Sequence, residues 1–289
     1  MNVVREDRPH LTDARALAAH RKRTENDPAR FLHDEAMLEL QERLIDVNRR
    51  FKSAAIVTGF PKIWREFLPE AKCVAAGNTL ELKAAAHDLV IHAMSLHWAD
   101  DPVGQIVQCR RALKPDGLFL GVGFGGATLT ELRAVMAESE AQVMGGISPR
   151  VAPMAEVRDM GSLLQRAGLA LPVADSLRKT VTYVNAIALM HDLRAMGEAN
   201  ALVDRHRSIP PRALFPTAAA LYAKKHSAEE NRIQATFELV FLTGWAPHES
   251  QQQPLRPGAS THRLADVLGV QEFDETAKPV HDRPDDESL

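Results

Sequence analysis

Cysteine is nearly missing from this chain: two of its 289 residues, Cys73 and Cys109, carry a thiol. Two are too few for a disulfide framework or a cysteine metal site, so both are expected as reduced core thiols. Long apolar runs are also missing. No stretch approaches the roughly 18 residues needed to span a bilayer, and the opening MNVVREDRPHLTD has no hydrophobic signal region. A soluble, cytoplasmic protein is the expectation. A strong charge is absent too. The formal net charge is −3, which gives no footprint for nucleic acid. The twelve histidines do not fall at metal-ligand spacings with acids, and His248-Glu249 lacks the second histidine of HExxH. No GxSxG or P-loop pattern occurs. No metal is expected, and no catalytic residue is assigned.

What is present is organised around His87 to Gly117, HDLVIHAMSLHWADDPVGQIVQCRRALKPDG. Asp88-Leu89-Val90-Ile91 is a short β-branched run of the kind a buried parallel strand shows. Asp101-Pro102 starts a helix, with Asp101 as cap and Pro102 at the first helical position. Val103, Ile106, Val107 and Leu113 are expected on its inner face. Lys114-Pro115-Asp116-Gly117 is a turn, since Pro115 presets one backbone angle and Gly117 tolerates a positive φ, and Leu118-Phe119-Leu120 is a second buried run. In such a strand-helix-strand unit the ligand lies outside the carboxyl ends of the strands, here at Met94-Ser95-Leu96-His97-Trp98.

Before this unit, Arg21-Lys22-Arg23 reads as a solvated charge run. Phe31, Leu38 and Ile45, widened by Met37, Leu44 and Val47, mark an amphipathic helix. Ala54 to Thr58 is the first buried strand and Cys73 to Ala76 a brief second one. After it, helices are expected over Thr128–Met144 and around Met160–Ala167, and a strand over Val173–Tyr183. Helical spacing over 185–228 is broken by Pro210-Pro211 and Pro216. Arg232–Trp245 alternates as a strand, and alternating βα units followed by this long late strand suggest a three-layer sheet with an antiparallel member. Residues 271–289 hold seven acids against two bases and are expected to be disordered.

The series DLV, SLHW, DDP and LKPDGLFLG resembles the fourth-to-fifth-strand region of class I S-adenosylmethionine-dependent methyltransferases. One branch fits more closely, the methyltransferase-like assembly factors of respiratory complex I, relatives of the O-methyltransferase of biotin synthesis. The match continues through Phe124-Gly125-Gly126-Ala127-Thr128-Leu129, Gly145-Gly146-Ile147-Ser148-Pro149, the stretch Asp192 to Asn200, and Gly244-Trp245 with His248-Glu249-Ser250-Gln251. The resemblance implies an α/β, Rossmann-like, three-layer sandwich with its cofactor across the first strands. It also implies a protein partner, a complex I subunit, and an arginine as the modified residue. The domain reading is 1–53 polar segment and amphipathic helix, 54–184 core, 185–228 helical lid insert, 229–270 last strand and C-terminal segment, and 271–289 acidic tail.

The cofactor half departs from the family pattern. A glycine-rich turn should follow the first strand so that backbone can approach the cofactor. Here it is Thr58-Gly59-Phe60-Pro61, with one glycine, a bulky ring and a proline lacking an N–H. No acid follows the second strand to accept from the ribose hydroxyls, and Ala76 stands where relatives carry the acid that holds the adenine amine. Only 29 residues separate Thr58 from Asp88, whereas two βαβ units need roughly 60, so one strand-helix unit is expected to be missing on this side. S-adenosylmethionine is therefore expected to bind weakly or not at all, with Phe60 or His92 intruding on its place. If binding is retained, Gly59, Ser95, Leu96, His97 and Trp98 would carry it.

Two functions follow. One is a partner-binding assembly factor on a degenerate methyltransferase fold, and the other an active cofactor-dependent protein-modifying enzyme. In either, the insert is expected as a lid over the carboxyl edge. Asp192 and Glu198 would hold a presented guanidinium, with Trp245 and Ser250 bordering the cleft. Removing both acids is expected to weaken capture of a complex I subunit at nearly unchanged melting temperature.

Overall fold

A computed structural model describes residues 10–252, and the chain divides into two units, Met1–His248 and Glu249–Leu289. Of the second, residues 249–252 are described and form a turn. The acidic stretch 271–289 lies outside the described residues.

The first unit runs α1 (Ala14–Thr24), α2 (Phe31–Val47), β1 (Ala54–Thr58), α3 (Pro61–Phe67), β2 (Lys72–Ala75), β3 (His87–Ala93), α4 (Pro102–Ala112), β4 (Leu113–Phe124), α5 (Thr130–Met144), α6 (Val157–Arg166), β5 (Ala170–Tyr183), α7 (Ala186–Ala195), α8 (Leu214–Lys225) and β6 (Ile233–Trp245). The strands form one mixed sheet in the order β2-β1-β3-β4-β6-β5. β1 to β4 are parallel, and β6 runs antiparallel to both β4 and β5. Among the described residues only β2 intervenes between β1 and β3, as the short spacing requires, so the sheet is a six-stranded Rossmann-like α/β fold.

Side chains alternate between faces because successive residues of a strand point oppositely. Ile56, Leu89, Ile91, Leu118, Leu120 and Phe241 enter one apolar layer with α2, α3, α5, α7 and α8. Ala55, Val57, Val90, Phe119, Val240 and Leu242 enter the other, under α4 and α6. The sheet is thus the middle of three layers.

Local chemistry explains the element boundaries and several departures from expectation. The Asp101 carboxylate accepts from the Gly104 N–H at 2.8 Å, starting α4 as expected. The inner face of α4 is Gln105, Ile106, Cys109 and Ala112, while Val103 and Val107 are only half-buried. In the turn before the apolar part of β4 the positive φ falls on Asp116 (59°) and not on Gly117, since Asp tolerates the left-handed region. Pro216 does not break α8 but sits in its first turn, where its missing N–H would have had no helical partner.

The largest correction in the helices concerns α2. Phe31, Leu38 and Ile45 are 38%, 60% and 66% exposed, and the buried face is Leu32, His33, Ala36, Met37 and Leu40. The rotation brings in a polar residue that periodicity discounts. His33 accepts from the Trp64 indole N–H at 3.2 Å, satisfying a fully buried tryptophan and fixing the imidazole as neutral. Burial holds its pKa down to about 4.

Candidate functional site

The carboxyl ends of β1, β2 and β3 open on a cavity of about 850 Å³ whose far wall is α1. Gly59, Phe60, Ala76, Ser95 and Trp98 are in its lining, so Phe60 does border the place expected for the cofactor. His92 does not. It lies wholly buried behind Gln105, whose side-chain oxygen is 2.7 Å from its Nε2. Leu96 belongs to the layer under α4. His97 turns its ring toward Phe124, with centroids 4.8 Å apart.

The turn after β1 is closed from within the chain. The Gly59 N–H donates to Ser95 Oγ at 2.9 Å and the Phe60 N–H to Thr58 Oγ1 at 3.1 Å, and Pro61 has no N–H to offer. Arg21 lies over this turn, and its guanidinium carbon is 4.9 Å from the centre of the Phe60 ring. Nη1 lies inside contact distance of the place a Cβ at residue 59 would occupy, so residue 59 must lack a side chain while Arg21 stays where it is. The charge run is therefore not solvated throughout. Leu17, Arg21 and Thr24 form the inner stripe of α1, a helical spacing that three consecutive basic residues conceal in the sequence. Burial presses the Arg21 pKa down, and its Nε and Nη2 have no hydrogen-bond partner among the described residues. An unpaired buried group of this kind costs about 1–3 kcal/mol or more.

Glu198 is the centre of a second constellation. Its side chain is 9% exposed, and Oε2 accepts from the Trp98 indole N–H at 2.5 Å and lies 3.1 Å from His97 Nε2. Burial acts to raise its pKa, but His97, Arg21 and the Trp98 N–H outweigh this and hold the carboxyl at about 2. Asp192 takes a different partner, the Tyr183 hydroxyl at 2.7 Å. The two acids are thus engaged separately and within the chain, and Glu198 is not an exposed helix residue whose loss would spare stability.

The backbone delivers Glu198 to this place through the end of α7. Gly197 N donates to Arg194 O and Glu198 N to Leu193 O, the paired bonds of a left-handed helix stop. Gly197 has φ +78°, and a Cβ there would stand 3.3 Å from both Phe60 Cε1 and Thr24 Oγ1. Gly197→Ala is expected to lower stability by about 1–2 kcal/mol through the left-handed backbone alone. Urea denaturation measures this, and an unchanged midpoint would show that the stop tolerates a side chain.

Trp98 also borders a second cavity of about 260 Å³, walled by α5, α7 and Phe215 of α8, with Met136, Met154 and Met190 beside Arg150 and Arg194. Trp245 is far from both cavities. β6 runs antiparallel, so Trp245 pairs with Leu118 at the start of β4 while Leu239 pairs with Phe124 at its end. The expectation that Trp245 borders the cleft fails because the last strand points the other way. Ser250 falls in the second unit.

Glu238 was not foreseen. Buried on β6, it accepts from the Ala127 N–H at 2.9 Å and from Arg178 Nε at 3.1 Å. Thr128 Oγ1 donates to its carbonyl and accepts from its N–H. The Gly125 to Leu129 stretch is thereby fastened to β6, so part of the family-like signature is explained by architecture. Among the described residues no group of acids, histidines and cysteines is arranged to hold a metal ion, and no helix is long and apolar enough to cross a membrane.

Residues 37–121 match a family model described as a methyltransferase domain. The chain is 40% identical over 187 residues to the mitochondrial arginine-hydroxylase NDUFAF5 of Dictyostelium discoideum, covering 64% of this chain and 43% of that one. With its Danio rerio counterpart the identity is 36% over 201 residues, covering 69% and 62%. A malonyl-[acyl-carrier protein] O-methyltransferase of Xylella fastidiosa is 32% identical over 179 residues, covering 62% and 58%. The match thus spans about half the length of these curated relatives.

Proposed function

From the premise of a methyltransferase-like chain, similar to both the NDUFAF5 and the malonyl-carrier-protein O-methyltransferase proteins, we propose a degenerate cofactor site and a role in complex I assembly. The protein acts there by binding a protein partner. The observation that carries this is the closed turn: both available amides of residues 59–61 already donate to Ser95 and Thr58 hydroxyls, leaving none for a methionine carboxylate. The edge of β2 adds to it. The acids lining the cavity are Glu25 and Asp100. Glu25 pairs with Lys62 at 3.0 Å, and Asp100 accepts from the backbone of Leu11 and Thr12. Neither belongs to the turn after β2, where the family pattern has the carboxylate that receives two ribose hydroxyls. No catalytic step is derived through the cofactor. The partner would meet the second cavity beneath α7 and α8, where the insert 185–228 would act as the lid.

A second reading, an active S-adenosylmethionine-dependent or arginine-modifying enzyme, is favoured by one observation, the size of the first cavity, which suits a nucleotide-sized molecule. Calorimetric titration of the whole chain with S-adenosylmethionine separates the two. No saturable heat is expected, and a dissociation constant in the low micromolar range would overturn the degenerate site. Capture of complex I subunits by the same preparation, without added cofactor, is the expected companion result.

A further inference from the structure

We propose that the first cavity binds an organic anion with an apolar body, its carboxylate or phosphate head held by the Arg21 guanidinium. The inference rests on the degenerate-site reading in one respect: a turn whose amides are occupied cannot hold the anion, so the task passes to the side chain lying over it. Arg21 meets the chemical requirement. Its Nε and Nη2 are buried without a partner among the described residues, and a buried cation in that state calls for an opposite charge. Glu198 acts on Arg21 electrostatically, but no described residue hydrogen-bonds either atom. Glu198 is bound to Trp98 and His97, and Glu25 and Asp100 are engaged as described above. The remaining charged side chains of the lining, Lys22, Lys62 and Arg65, are all basic, so the field in the cavity favours an anion.

The rest of the wall suits an apolar body. Ile63, Cys73, Val74 and Ala76 extend from α3 along β2, and a Cβ at Gly77 would meet nothing nearer than 4.0 Å, leaving a smooth shelf beside the strand end. A volume of about 850 Å³ accommodates a nucleotide-sized molecule with its head at Gly59 and its body along β2. The cation on S-adenosylmethionine meets no free carboxylate here, whereas a purely anionic head meets Arg21.

The test is calorimetric titration and thermal shift on the whole chain with two probes, adenosine 5′-monophosphate for a phosphate head and N-acetyltryptophan for a carboxylate head. At least one is expected to bind saturably, to raise the melting temperature, and to weaken as salt is added. Arg21→Met is expected to weaken that binding by about tenfold or more. Should the methionine variant not fold, Arg21→Gln gives the same reading. Silence of both probes overturns the proposal, as does unchanged affinity in the Arg21 variant. S-adenosylmethionine titrated in parallel reads the degenerate site separately: its binding overturns that reading, whereas silence of all three ligands overturns only the anion site.

Discussion

Glu198→Ala should lower the stability of the protein by about 3–5 kcal/mol, the usual consequence of removing one member of a buried charged set. The carboxylate accepts from Trp98, faces His97 at 3.1 Å and is 9% exposed, so its loss strands an indole N–H and an imidazole in a place that water does not reach. Arg21 loses a negative charge that acts on it. Glu198→Gln keeps an oxygen for the Trp98 N–H and should cost distinctly less, since the hydrogen bond survives and only the charge is lost. Urea midpoints at constant slope measure both variants. A near-neutral alanine variant would mean that the carboxylate is solvated and the cluster open, and would restore Glu198 as a free ligand group. The reversal from a freely removable acid to a structural one follows from Gly197, whose left-handed turn sends residue 198 inward.

Acid should destabilise the protein in two stages. His33 and His92 are buried neutral, each with its pKa held down to about 4 by burial. In the unfolded chain both titrate near 6.5, so between roughly pH 6.5 and 4 the unfolded state binds more protons and stability falls as pH falls. Each pKa unit corresponds to about 1.4 kcal/mol, so the two histidines together account for several kcal/mol. The second stage belongs to Glu198, whose carboxyl is held at about 2. Its contribution is complete above the ordinary glutamate value and disappears as pH drops from there through 2. Unfolding free energies measured from pH 7 to 3 should decline from about pH 6.5, and His92→Gln should flatten the first stage. A flat profile from pH 7 to 4.5 would contradict the neutral burial of both rings.

Much of the sheet was legible because buried parallel strands announce themselves as short apolar runs and because chain length limits strand number. The interval from Thr58 to Asp88 admits one strand, and one is found. The antiparallel member expected from the long last strand is β6, and that same direction puts Trp245 opposite Leu118, away from the carboxyl edge where the family resemblance had set it. Of the site, Gly59, Ser95 and Trp98 could be found from their place after β1 and β3. Arg21 could not, because composition treats three adjacent basic residues alike and only the helix geometry of α1 separates one from its neighbours. His33 was hidden for a related reason: in an apolar stripe of α2 a histidine counts against burial, and only its Trp64 partner makes that burial favourable.

The shortened sheet also bears on what the margin beside the cavity offers to another chain. With β2 as the terminal strand, the margin beside the cavity is four residues long, and about two of them direct backbone groups outward. Lys72 opens this margin, exposed and with its ammonium donating to the Glu81 carbonyl at 2.6 Å, which brings charge and a loop segment to the place where a foreign strand would have to dock. Long, flat, apolar margins seed cross-chain pairing and fibril growth, and short charged ones resist it. At this margin the short strand therefore offers little template for a foreign chain, in contrast to the opposite margin, where β5 runs over 14 residues.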